Sequence, residues 1–250
     1  MILEKKKREL LINYYKSYGI DKIGYGTVKD YSDSKNNLEE LIVQGDLKDF
    51  ERPWCVKAII NKLPIGAKII EIGGGEPLVA NFLAELGYIV YLVDPYDGSG
   101  NGPIEYDYYK KKYPKVQIVK NYFNDGLTNF PNNFFDAIFS VSVLEHVSDE
   151  NLLPIYKGIN KFLKPGGFSI HTVDVVLMGN KDVWHKNHAK KIVKLEEINT
   201  DLDVLFKDAH EDPDTYFLSA NGHLLWKGAT PYQDFPFRRC ISLNICKQYK

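Results

Sequence analysis

Cysteine, methionine and arginine are scarce in this 250-residue chain, and no long apolar run occurs in it. The three cysteines, Cys55, Cys240 and Cys246, are odd in number and form no C-x-x-C pair, so neither a disulfide framework nor a structural zinc site is expected. Of the 32 Lys and Arg residues only Arg8, Arg52, Arg238 and Arg239 are Arg, which removes most side chains suited to bidentate phosphate or base recognition. A formal net charge of -1 supplies no general attraction to nucleic acid or anionic lipid. The start, Met1-Ile2-Leu3, leads into the charged run Glu4 to Glu9 rather than an apolar leader core, and no stretch approaches the ~18 apolar residues of a membrane span. The expectation is a cytoplasmic protein without nucleic-acid or membrane partners.

Hydrophobic residues make up 44% of the chain and charged residues 26%, ordinary values for a folded domain. Apolar spacing predicts a helix over residues 3–18, ended by Gly19, and a second from Pro53 to Lys62. Residues 20–50 lack clear periodicity and read as irregular structure. Tyr25, between Gly24 and Gly26, is the candidate lid residue there, whereas Tyr14, Tyr15 and Tyr18 fit a core. From Lys68 onward apolar runs (68–72, 88–93, 116–119, 135–140, 168–173) alternate with helical segments (78–86, 104–113, 149–162), the pattern of a parallel sheet covered on both faces. After Lys194 the pattern changes to a helix near 194–205 and two strands, 215–219 and 239–247, suited to an antiparallel edge. The division expected is an N-terminal helix and lid-like segment over 1–52 and a main domain over 53–250, with an acceptor-side insertion at about 174–235.

The most informative stretch is Glu71-Ile72-Gly73-Gly74-Gly75-Glu76-Pro77, where a buried strand runs through three glycines into a helix. Such a turn brings backbone N–H groups and a helix N-terminus to a ligand with no side chain in the way. A dinucleotide turn carries G-x-G-x-x-G, but Leu78 stands at the third glycine position and Pro77 suits a helix start. Glu71, two residues before the first glycine, opposes a diphosphate and suits a ligand with an amino group and a sulfonium. Asp94, at the end of the second of these strands, can accept hydrogen bonds from both ribose hydroxyls, as in several adenosine-binding folds.

Glu71 to Gly75, Asp94, the block Phe135 to Val147 and Leu163-Lys164-Pro165-Gly166-Gly167-Phe168 together resemble the class I S-adenosylmethionine-dependent methyltransferases, over about residues 53–247. The resemblance implies an α/β, Rossmann-like seven-stranded, mostly parallel sheet with helices on both faces and an antiparallel last strand. It also implies S-adenosylmethionine as cofactor, held by Glu71, Gly73, Gly74, Gly75 and Asp94, with Ser140 on the strand that passes the sulfonium. The acid that meets the adenine amine in many relatives has two candidates here, Asn121 and Asp125.

Methyl transfer requires an aligned acceptor and, for a hydroxyl, a base. His146 follows the fourth strand at the carboxyl edge and is open to catalytic, structural or metal-binding readings. A divalent metal is not indicated, because Ser142 stands where a third acidic ligand is expected. Asp174 and His188 are the next candidates for catalysis, while His171 and His185 read equally well as strand and loop residues; His210 and His223 lie in the insertion. The polar acceptor loops point to a small-molecule hydroxyl or amine, with a sugar or sugar nucleotide hydroxyl as one acceptor class. A nicotinamide-dependent oxidoreductase and a non-catalytic S-adenosylmethionine-binding module are the alternatives. Oligomeric state is not legible.

Overall fold

The computed structural model describes residues 3–43, 47–99, 102–179, 181–218 and 239–250. Its strands are β1 (Ile23–Tyr25), β2 (Lys68–Ile72), β3 (Ile89–Asp94), β4 (Gln117–Lys120), β5 (Phe135–Val141), β6 (Leu163–Met178) and β7 (Arg239–Gln248). The helices are α1 (Lys5–Tyr15), α2 (Val28–Asn37), α3 (Lys48–Lys62), α4 (Leu78–Leu86), α5 (Tyr106–Lys112), α6 (Asp149–Phe162), α7 (Asp182–Leu195) and α8 (Leu202–Glu211). One seven-stranded sheet has the order β1-β7-β6-β5-β2-β3-β4. The five strands from β6 to β4 run parallel, and β7 is antiparallel to both β6 and β1.

Alternation along the strands divides the core between two faces. Ile69, Leu92, Phe139 and Ile170 pack with α3 and α4, while Ile70, Val93, Ile138 and Val173 pack with α6, α7 and α8. Helix α4 ends at Gly87, whose φ of 108° is the left-handed cap that turns the chain into β3. Strand β2 has β3 on one side and β5 on the other, so the connections diverge there. At such a switch point the carboxyl ends of the strands leave a crevice for ligands.

The strands and helices of the central region stand where periodicity placed them, but both flanks differ. The seventh strand is β1, inside the segment read as irregular and lid-like. Its three residues pair with Leu243, Asn244 and Ile245 of β7, and the Tyr25 hydroxyl donates to Asp212 Oδ2 at 2.9 Å. Tyr25 is therefore an edge-strand residue rather than a lid. Gly26 serves close packing: a Cβ there would stand 2.9 Å from the Phe50 ring. Helix α3 begins at Lys48, five residues before the expected start, and Pro53 lies inside it, where it withdraws one N–H from the helical ladder. Trp184 to His188, read as part of an acceptor-side loop, lie in α7, and the helix expected near 194–205 is split by a break with Glu197 at φ 52°. In place of a strand over 215–219 there are two isolated bridges, Thr27 to Thr215 and Phe217 to Ile241. His223 and residues 219–238 of the expected insertion lie outside the described residues. No described helix is long and apolar enough to cross a membrane.

Candidate active site

The carboxyl ends of β2, β3 and β5, and the part of β6 beyond Thr172, share one edge, which brings Gly73–Gly75, Asp94, Ser142–His146 and Asp174 to the same rim of the sheet. The glycine turn is fixed by its surroundings. Gly73 and Gly75 have φ of 65° and 53°, values that strain any residue with a Cβ. A Cβ on Gly73 would fall 2.8 Å from Val143, and one on Gly74 would fall 2.6 Å from Leu92 and 2.7 Å from the Glu71 carboxyl carbon. Gly75 is tied to the end of β3 and the residues just after it: its N–H donates to Asp94 Oδ2 at 3.1 Å and its C=O accepts from the Tyr96 hydroxyl at 2.8 Å. Asp94 Oδ1 accepts the Tyr96 N–H at 2.8 Å. Burial raises the Asp94 pKa against those two N–H bonds. Each Asp94 oxygen keeps a lone pair beyond its backbone bond.

Glu71 stands behind this turn. It is buried, Oε2 accepts the Ala80 N–H of α4 at 3.2 Å, and burial pushes its pKa up to about 8, with that N–H and the Arg52 charge opposing the rise. That bond braces the turn against α4.

On the β5–β6 side the chain builds a nest of buried acids. Ser142, at φ 49°, donates its hydroxyl to Glu51 Oε2 in a short bond and lies 3.5 Å from Asp174 Oδ1. The Asp174 N–H donates to Glu145 Oε1 at 3.3 Å. Glu51, Glu145 and Asp174 are all at most 5% exposed. Burial raises all three pKa values, that of Glu145 to about 8, and the charges of neighbouring carboxylates add to the rise for Glu145 and Asp174. His146, in the 3-10 turn Leu144–His146, is exposed at the rim, its Nε2 3.9 Å from Glu145 Oε1.

Residues 70–171 match the family model for the methyltransferase domain. Residues 70–171 are thus a methyltransferase domain. The chain is similar in structure to a TehB-like S-adenosylmethionine-dependent methyltransferase from Corynebacterium glutamicum, at 19% identity over 67% of this chain and 81% of the other, with a TM-score of 0.46. An S-adenosylmethionine-dependent methyltransferase from Aquifex aeolicus aligns at 14% identity over 87% of this chain and 98% of its own, with a TM-score of 0.48. The glycopeptide N-methyltransferase MtfA, solved with sinefungin, aligns at 11% identity over 50% and 54% of the two chains, with a TM-score of 0.42. No curated protein matches the sequence.

Several side chains expected at the methyltransferase site are committed elsewhere. Ser140 is fully buried on the opposite face, its hydroxyl 2.7 Å from His171 Nδ1. Its side chain is a core partner of His171, whose Nε2 lies 2.7 Å from Ser169 Oγ and whose pKa burial lowers to about 3. His188 is 3% exposed, with Nδ1 3.1 Å from Asp149 Oδ1 and Nε2 3.0 Å from the Leu144 carbonyl, and it stacks on Trp184. One ring nitrogen ties α7 to the start of α6 and the other to the turn that carries Glu145 and His146, so His188 is engaged inside the fold. Asn121 follows β4 beside Asp94, its N–H donating to the Asp94 carbonyl at 3.1 Å. Asp125 turns toward α6 instead, bonded through its backbone to Pro154 and Lys161. The two candidates for the adenine amine are thus separated, and Asn121 is the one beside Asp94.

Glu51 was missed by sequence reading. Its signal was helical spacing: Glu51, Cys55, Ala58 and Ile59 lie on one buried stripe of α3, a carboxyl in an otherwise apolar face. Among the described residues no group of three or more His, Cys, Asp or Glu side chains is spaced to hold a metal ion.

Proposed function

We propose that the methyltransferase acts on a small-molecule acceptor presented over the rim of Ser142, Glu145, His146 and Asp174, with Gly73–Gly75 and Asp94 holding the cofactor. The observation that carries this reading is the meeting of the glycine turn and the acid nest through Val143, which packs against Gly73 and connects Ser142 to the turn bearing Glu145. Bound S-adenosylmethionine supplies an electrophilic methyl group. The bare backbone of the turn accommodates the methionine portion, Asp94 accepts from the ribose hydroxyls, and Asn121 stands on the adenine side. Preorganisation of the turn by Asp94 and Tyr96 limits the ordering cost on binding.

Proton removal from the acceptor falls to Asp174 or Glu145, with His146 as the exposed imidazole at the rim. A carboxyl with a raised pKa is a better base at neutral pH than an ordinary one. The sugar hydroxyl reading drew support from several polar loop histidines. With His171 and His188 engaged inside the fold, that support narrows to His146 and Asp174, and the acids of the nest favour an amine.

The test is calorimetric titration of S-adenosylhomocysteine and of NAD into the wild type and Asp94→Ala. Binding of the adenosyl ligand that is lost in the variant supports the reading; NAD binding or no binding of either removes it.

A further inference from the structure

We propose that Lys48 and Arg52, one turn apart on α3, form a cationic clamp for the carboxylate at the methionine end of S-adenosylmethionine, so that α3, outside the matched residues 70–171, completes the cofactor site. This rests on the proposed placement of the cofactor at the glycine turn.

Two contacts hold α3 over the rim. Glu51 accepts the Ser142 hydroxyl bond, and Cys55 Sγ lies 3.8 Å from the Ser140 carbonyl oxygen, so the stripe of Glu51 and Cys55 faces β5. Lys48 and Arg52 stand at the same i, i+4 spacing, which sets them on one helix face beside that stripe. Strand β2 is the neighbour of β5, and the Arg52 charge acts on Glu71 near the end of β2 and on Glu76 just past the glycines. The Lys48 charge acts on Glu71 as well, and on Glu51, Glu145 and Asp174. Arg52 therefore stands by the glycine turn, and Lys48 between the turn and the acid nest.

The second observation is that neither cation has a strong partner. The Arg52 side chain is 11% exposed, yet its hydrogen bond is a 3.5 Å contact to Asp49 Oδ1, an oxygen that already accepts the Val43 N–H at 2.9 Å. A guanidinium carries five N–H donors in a planar fork, and withdrawing it from water without matching acceptors is costly. Its Nε and Nη2 are nonetheless not sealed in the core, so a ligand can reach them. Lys48 is half-buried and makes no hydrogen bond or ion pair among the described residues. A cation that serves the fold is treated differently: Lys57, one of the buried residues of α3, lies 2.7 Å from Asp33 Oδ2 and donates to the Asp30 carbonyl at 2.9 Å.

The charges match the ligand. The methionine end of the cofactor carries one ammonium and one carboxylate. Glu71 gives the turn an acid, and α3 gives it two cations with donors to spare. A carboxylate can take the Arg52 fork in two parallel bonds and still accept from an ammonium such as Lys48.

The experiment is calorimetric titration of S-adenosylmethionine and of decarboxylated S-adenosylmethionine, which keeps the ammonium and lacks the carboxylate, into the wild type, Arg52→Gln and Lys48→Gln. The wild type should bind S-adenosylmethionine about tenfold or more tighter than the decarboxylated ligand. Arg52→Gln should lose most of that preference and Lys48→Gln part of it, with affinity for the decarboxylated ligand kept in both. Three results overturn the proposal: equal wild-type affinity for the two ligands, a preference that survives both substitutions, as it would if the cations met an acidic acceptor, or parallel loss of both ligands in a folded variant. A wild type that binds neither ligand would instead remove the reading beneath it. Should Arg52→Gln fail to fold, Arg52→Lys decides, because it keeps the charge and loses the fork: a reduced preference supports the clamp, and an undiminished one overturns it.

Discussion

Asp94 holds Gly75 in place before any ligand arrives: the carboxylate at the end of β3 accepts the Gly75 N–H at 3.1 Å, across the 19 residues that separate them. The same carboxylate accepts the Tyr96 N–H, and the Tyr96 hydroxyl returns to the Gly75 carbonyl. Asp94, the proposed ribose acid, is thus also the brace of the glycine turn.

Gly73→Ala should destabilise the fold by about 2 kcal/mol, since it joins a left-handed φ to a contact 2.8 Å from Val143. Urea unfolding measures it. A variant as stable as the wild type would mean that the turn relaxes freely.

Stability should fall as pH rises from 6.5 to 8.5. Glu71 and Glu145 have pKa values raised to about 8 and Glu196 to about 7. A raised carboxyl keeps a proton in the folded state that the unfolded chain has already released above about 4.5. Its stabilisation is therefore complete below that range and is lost as pH climbs through the folded value. His171 acts oppositely: held near 3 by burial, it favours the folded state above about 6.5 and withdraws that stability as pH falls toward 3. Above pH 6.5 the carboxyls act without that opposition, and the slope is at most about 1.4 kcal/mol per pH unit for each titrating group. Thermal melts across the range test the sign; a flat or rising midpoint would contradict it.

Glu145→Gln should raise the thermal midpoint at pH 8.5 and change it little at pH 5.5. The amide copies the protonated acid, removes one charge from a nest that repels itself, and keeps an oxygen to accept the Asp174 N–H. Equal effects at both pH values would show that the charge is not the source.

His188→Ala should cost about 1–3 kcal/mol of stability through the unpaired Leu144 carbonyl and the lost stack on Trp184. His146→Ala should leave stability nearly unchanged, because the side chain is 47% exposed. If His188→Ala instead preserved the fold and abolished turnover alone, His188 would return as a catalytic candidate.

The central sheet was legible because β2 to β5 are short apolar runs set between helical segments. Lys68–Ile72 and Leu78–Leu86 stand where their patterns placed them. The flanks were not. Strand β1 is three residues long and owes its form to pairing with β7, which no local pattern reveals. In the candidate site, the glycine turn was readable from sequence because its left-handed backbone demands glycine. Ser140 and His188 were misplaced because strand position names an edge but not a face or a partner. Glu51 joins the site only through the packing of α3 on β5 and β6, a contact at long sequence separation.

The most direct measurement is calorimetric binding of S-adenosylhomocysteine to the wild type and to Asp94→Ala. The account expects micromolar binding by the wild type and at least a tenfold loss in the variant, equivalent to about 1.4 kcal/mol. Unchanged affinity in a folded Asp94→Ala variant would contradict the placement of the cofactor at the glycine turn.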